Sequence, residues 1–292
     1  MESSQNNGLI KILNWEKMDI EEKIGMSGGK YTDTNLTFTF FLAIVFALIF
    51  YIIQFSLQNF ALTQIFLERG LIPYIIVFFS FWSLSILLIK WRKLLLQQRA
   101  LYLMVVPQTP NFELTKDRAR DILSRMYALV DDPKKFVLLN RIERALANLK
   151  NIGMIADVSE VLRAQAQNDE DHMESSYGII KGFVWGIPVL GFIGTVLGLS
   201  QAIGNFGSAL SNNGEIEQLK TSLQTVTSGL SIAFDTTLIA LVAALGIQLT
   251  ITALKKKEEV FLDDCNDYCH ANIISKLRLS ALEDTHDNYF SE

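Results

Sequence analysis

Apolar residues gather in four long blocks, Leu36 to Phe55, Leu71 to Ile89, Ile179 to Ala209 and Leu223 to Leu254, with charges kept almost wholly between them. A helix rises about 1.5 Å per residue, so about 20 apolar residues cross about 30 Å of hydrocarbon, and each block predicts a membrane-spanning helix. The fold class that follows is an all-α integral membrane protein with four transmembrane helices. A short connection with few charges joins the first two blocks, which predicts a helical hairpin over 36–90. Lys90-Trp91-Arg92-Lys93 follows the second block and Lys255-Lys256-Lys257 the fourth. By the lysine and arginine excess of cytoplasmic flanks, both ends, and hence both termini of this multi-pass chain, are expected in the cytoplasm.

The stretches between the blocks are polar and mostly helix-forming. In the N-terminal segment, 1–35, Leu9, Ile12, Leu13, Ile20 and Ile24 recur at roughly helical spacing among charges. Two readings stand, an amphipathic helix on a membrane or protein surface and a partly ordered tail, with Gly28 and Gly29 as the expected hinge to the first span. Glu16, Glu21 and Glu22 precede the first apolar run, unlike a secretory signal. Segment 91–178 predicts a helical cytoplasmic domain. Asp132-Pro133 supplies a cap and first-turn pair for a helix running to Lys150, and a second helix from near Met154 meets no stop before Gly178. Segment 255–292 predicts a cytoplasmic C-terminal helix and tail, in which Val260, Phe261, Cys265, Tyr268, Ile273, Ile274 and Leu277 form an apolar stripe expected to pack on that domain.

Half of the 292 residues are hydrophobic and mean hydropathy is +0.25 although 20% are charged, which fits charges segregated from spans. A net charge of -5 and a pI near 5.4 argue against a nucleic-acid partner, which requires a dense basic face. Cys265, Cys269 and His270 cluster within about a turn, yet they lack the second ligand pair of a closed zinc site, so no metal is expected. His172, His270 and His286 all lie in charged segments, and no phosphate-binding glycine loop, His-Glu-x-x-His pair or Ser/His/Asp set occurs in a suitable context. Neither catalytic residues nor a cofactor are therefore assigned, and the chain is not expected to be an enzyme.

The third and fourth spans carry the chemistry. Gly194, Gly198 and Ala202 fall four apart, as do Gly182 and Gly186, a spacing that lets helix backbones approach where lipid gives no hydrophobic drive. Thr195 lies beside this seam and is free to bond back to its own helix. In the fourth span Thr221, Thr225, Ser228, Ser231 and Asp235 keep to one face within about 120°. An aspartate at the centre of a membrane helix costs about 2.5 to 3.5 kcal/mol on insertion scales. Two readings of Asp235 stand: a titrating or cation-binding group in a conduction path, and a static partner in helix packing.

Two stretches, Pro188-Val-Leu-Gly191-Phe-Ile-Gly194-Thr195-Val-Leu-Gly198-Leu and Ser228-Gly-Leu-Ser-Ile-Ala-Phe-Asp235-Thr236-Thr237-Leu-Ile-Ala-Leu, resemble the MotA/TolQ/ExbB family of ion-driven motor stators. The likeness runs from about Ser175 to Lys257, with Pro188, Gly191, Gly194 and Gly198 as packing positions of the pore helix. It implies a homopentamer around two single-span subunits similar to ExbD, TolR or MotB, in the lipid of a bacterial inner membrane. Each partner's aspartate would take up the translocated proton or sodium ion. Thr195 and Thr237 match the family threonines that face this aspartate. A hydroxyl both donates and accepts, so it can pass a proton or ligate a cation without adding charge.

Two departures qualify the likeness. Transport-type members have a glutamate where this chain has Ile232, and Asp235 lies within about 60° of that face. Asp235 and Thr237 are about 200° apart, so one pore cannot take both, and Thr237 is assigned to it. Thr236 falls between them and fits either side. The second departure is topological, four spans resembling MotA while the motifs lean toward the three-span transport type. The leading expectation is a stator subunit that converts ion-motive force into mechanical work. Its rival is a non-conducting oligomeric scaffold that docks a cytoplasmic partner. A substrate transporter is less favoured, because the two hairpins show no inverted-repeat kinship.

Overall fold

The computed structural model describes residues 13–57, 63, 66, 70–107, 109, 112–147, 149, 155–211 and 216–277. Leu9, Ile12 and His286 lie outside these residues. Every regular element among them is helical, apart from isolated parallel bridges at Leu13–Val130 and Leu114–Leu277. The helices are α1 (Trp15–Met18), α2 (Ile20–Lys23), α3 (Leu36–Ser56), α4 (Ile72–Arg99), α5 (Lys116–Leu129), α6 (Val137–Ala147), α7 (Ile155–Ser175), α8 (Gly178–Ser211) and α9 (Ile216–Asn272). Four of them, α3, α4, α8 and α9, contain stretches long and apolar enough to cross a membrane, which makes this a multi-pass membrane protein.

The chain divides into two compact units. One gathers Leu36–Ile89 and Tyr177–Leu254. Its helices bury little against one another. In α3 only Thr39 and Ala43 are buried, while Phe41, Leu48, Ile52 and Phe55 stand exposed, a surface suited to hydrocarbon rather than water. Aromatic edges hold the helices together. The Phe40 and Trp82 rings of α3 and α4 lie 5.1 Å apart, Trp82 donates through Nε1 to Thr39 at 3.3 Å, and Phe183 of α8 lies 4.9 Å from the Trp82 ring.

The other unit gathers Met1–Asn35, Lys90–Ser176 and Lys255–Glu292, and it is charged inside as well as out. Asp132 caps through its side chain as the sequence suggests, accepting from the Lys134 backbone at 3.0 Å. Beyond it only a three-residue 3-10 turn, Pro133–Lys135, forms before α6 begins at Val137, so the helix starts later than Pro133. All but a few side chains of α6 are buried, including Phe136 just before it and Arg141 within it. Between α7 and α8 the interruption is two residues, Ser176 and Tyr177.

Several expectations need correcting here. From Leu13 onward the N-terminal segment is not one amphipathic helix: α1 and α2 are four-residue turns broken at Asp19, with Leu13, Trp15, Asp19 and Glu21 buried and Ile24 57% exposed. Leu13 instead joins the protein backbone, donating to Leu129 and accepting from Asp131, each at 3.3 Å. Gly28 and Gly29 serve close packing rather than a hinge. A Cβ on Gly28 would strike the Glu21 carboxylate and the Lys93 ammonium. The tail does not open a separate helix, since α9 runs unbroken for 57 residues. Of its stripe Phe261, Cys265, Ile273 and Leu277 are buried and Tyr268 and Ile274 half-buried, while Val260, 47% exposed, lies off it and Leu262 and Cys269 are buried in addition.

Candidate functional site

The seam between α8 and α9 is set by residues without bulk. On Gly191 a Cβ would come 2.5 Å from the Ala240 Cβ and 3.2 Å from the Thr237 Cα. On Gly194 it would meet the Thr236 Oγ1 at 2.8 Å, and on Gly198 the Gly229 carbonyl at 3.2 Å. Gly229 repeats the demand from the other side, where a Cβ would lie 2.7 Å from that of Ala202. A Cβ on Gly191 or Gly194 therefore forces a neighbour to shift, and one on Gly198 makes a tight contact that the seam must give slightly to admit. Gly182 and Gly186 differ, since nothing lies within 4 Å of a Cβ built on either, so the lower pair takes no part in this seam. Pro188 sits inside α8, where its missing N–H removes the bond that would reach the Val184 carbonyl.

Close backbone approach brings two threonines together across the seam. The Thr195 and Thr237 hydroxyls are in hydrogen-bond contact with each other. Thr195 also donates to the Ala233 carbonyl at 3.0 Å and the Gly191 carbonyl at 3.2 Å, and Thr237 to the Gly191 carbonyl at 3.1 Å. Two protons thus serve a shared set of acceptors: two carbonyls and the hydroxyls themselves. Such a pair can hand a proton along by rotating its O–H bonds, or present lone pairs to a cation, with no fixed charge to trap it.

The neighbouring residues take different positions. Thr236 is 1% exposed, donates to the Ala233 carbonyl at 2.9 Å and lies under Gly194, so its hydroxyl belongs to the packing of the seam. Asp235 is half-buried, on the α9 face that the helical repeat turns away from Thr237. Sequence reasoning passed over the α9 side of the seam. Gly229, Ala233, Thr237, Ala240 and Ala244 form a small-residue row at spacings of three and four that was readable beside the glycines of α8.

A second concentration of polar chemistry lies in the charged unit. Lys93 is 2% exposed and meets Glu21 at 2.5 Å, Asp19 at 3.6 Å and the Asp33 carbonyl at 2.7 Å. Burial holds the Glu21 carboxyl above its ordinary value, outweighing the pull of Lys93. Lys90, 1% exposed, meets Glu258 at 3.5 Å and donates to Thr32 and Ser176. Arg141 meets Asp169 at 2.7 Å and Asn266 at 2.5 Å, while Tyr31 donates to Asp169 at 3.0 Å. Two lysines of the expected cytoplasmic flank are thus committed to internal pairs rather than displayed at a surface. Cys265 and Cys269 are buried free thiols, and among the described residues no three His, Cys, Asp or Glu side chains gather as a metal site.

Residues 131–266, which hold the whole α8 and α9 seam, match the model of the MotA/TolQ/ExbB proton channel family. Proteins of that family are channel and stator proteins rather than enzymes. No curated protein and no solved structure matches the chain.

Proposed function

We propose that the chain is the stator subunit of an ion-driven motor in the bacterial inner membrane. In this reading five copies surround two single-span subunits like ExbD, TolR or MotB, with both termini and the charged unit in the cytoplasm. Ion-motive force would be converted to mechanical work as a proton or sodium ion passes Thr195 and Thr237 and is taken up by a partner's aspartate. The observation that carries the reading is the hydroxyl pair itself, held at a glycine seam inside the matched segment. A hydroxyl pair exchanges protons, or sheds and regains a cation, more readily than a carboxylate that would bind it firmly. Asp235 lies on the α9 face turned away from Thr237, where it would meet another helix or a neighbouring copy rather than the pore.

One observation favours a non-conducting scaffold instead: both hydroxyls already bond to the Gly191 and Ala233 carbonyls, which is sufficient for helix adhesion. The two readings part on flux. Proton or sodium uptake is measured in membrane vesicles from cells that make the chain with its native partners, for the wild type and for Thr195→Val with Thr237→Val. Loss of uptake in a variant that still assembles supports the motor. Unchanged uptake rejects the role given to the threonines.

A further inference from the structure

In the charged unit a groove of about 310 Å³ lies between α6, α7 and the end of α9, and the threonine seam does not account for it. Polar residues from all three helices line it: Arg141 from α6, Ser159 and Arg163 from α7, and Asn266, Asp267 and His270 from α9. Ser159 and Arg163 are four apart in sequence, as are Asn266 and His270, so each pair stands a turn apart on a single helix face. The helical repeat thus sets two rows of polar side chains along the groove, and the third contribution, Arg141, is 1% exposed.

Arg141 is incompletely satisfied. A guanidinium carries five N–H donors. Its Nε donates to Asp169 at 2.7 Å and its Nη1 to Asn266 at 2.5 Å, whereas Nη2 is buried and finds no acceptor. Asp169 cannot turn to serve it, because its two oxygens already answer Arg141, Tyr31 and Gln165. A buried donor left without an acceptor is costly, and in a residue that lines a groove the missing acceptor is supplied by what fills that groove.

The lining dictates the chemistry of the occupant. Arg163 adds an exposed second guanidinium, His270 an exposed imidazole and Ser159 a hydroxyl, and two guanidiniums repel a cation. Asp267, exposed as well, is the carboxylate among the described lining residues, and it sets an opposing charge that an anion has to overcome. A phosphate group offers three acceptor oxygens and up to two charges where a carboxylate offers two oxygens and one, so it answers donors from more than one helix at once. Leu162 and Ile274 add an apolar wall against which a small organic remainder could rest.

We propose that this groove is a binding site for a phosphate group, free or as the ester of a small molecule, held by Arg141 and Arg163. The site belongs to the charged unit and not to the threonine seam, so the inference does not depend on whether the chain conducts ions.

The test uses the full chain in nanodiscs of uncharged lipid, titrated calorimetrically with inorganic phosphate and with phenyl phosphate at an ionic strength held constant with chloride. Saturable binding of one phosphate group per chain is expected. Binding of both probes alike identifies free phosphate as sufficient, and tighter binding of phenyl phosphate identifies an ester whose remainder rests on the apolar wall. Arg163→Gln, at an exposed position, should weaken binding roughly ten-fold or more. Asp267→Asn removes the opposing charge and should tighten it a few-fold. Arg125→Gln, on the exposed face of α5, should leave it unchanged. The absence of saturable binding by either probe overturns the proposal. So does binding that neither Arg163→Gln nor Asp267→Asn moves, since the anion would then sit elsewhere. If Arg163→Gln does not accumulate, the tightening by Asp267→Asn decides alone.

Discussion

The hydroxyl of Thr195 on α8 touches that of Thr237 on α9, and each also reaches a backbone carbonyl of the seam, Ala233 for the first and Gly191 for the second. Size and hydroxyl chemistry are both used at this contact, so they can be separated by substitution. Thr195→Ser keeps the hydroxyl and should conserve uptake within a few-fold, whereas Thr195→Val keeps the shape and should reduce it roughly ten-fold or more. Vesicle uptake at matched protein amounts reads both. A Val variant as active as the Ser variant would assign the hydroxyl to adhesion alone.

Glycines of α8 should divide by position. Gly191→Ala places a methyl group 2.5 Å from the Ala240 Cβ, and because backbone flanks it the helices must separate, at a cost of about 1–3 kcal/mol. Gly186→Ala meets no atom within 4 Å and should be neutral within the single chain. Thermal unfolding in detergent, followed by helical circular dichroism, compares the two. Equal losses would show that the seam is looser than its geometry.

Lys93 and Glu21 are each almost fully buried, with side chains 1% and 0% exposed. Removing one leaves a desolvated charge, so Glu21→Ala should destabilise the charged unit by about 3–5 kcal/mol. Replacing both, as Glu21→Leu with Lys93→Met, should recover only part of that loss, because it leaves Asp19, 3.6 Å from the Lys93 ammonium, a buried carboxylate without its lysine. A double-mutant cycle on denaturant midpoints checks it, and additive losses would deny the coupling.

Burial raises the Glu21 carboxyl above its ordinary 4.5. The folded state then holds this proton more tightly than the unfolded chain. The contribution is fully present below pH 4.5 and is lost as pH rises through the raised value. Glu21→Gln removes the titration, so stability should fall less steeply with pH just above 4.5 than in the wild type. Unfolding midpoints across that range provide the measurement, and parallel slopes would place the proton elsewhere.

Apolar blocks long enough to cross a bilayer, and the glycine row that allows two helices to touch, are one-dimensional properties. Hydrophobic length and small-residue spacing can be counted along the chain, so α3, α4, α8 and α9 and the packing role of Gly194 and Gly198 were legible before any fold was known. The threonine candidates were legible only through resemblance to a family. Their periodicity set Thr237 apart from Asp235 but did not give its partner.

What the tertiary structure alone decided is where polar groups find one another. Leu13 pairing with Val130, Glu21 meeting Lys93, and Arg141 held by Asp169 and Asn266 join residues from 28 to 125 positions apart. The same holds for the choice between Gly194, pressed on Thr236, and Gly186, facing open space. A helical repeat fixes which residues share a face, because it is a local property of the backbone. Which neighbour that face meets depends on how distant segments pack, and burial then dictates that each charge brought inside finds a partner.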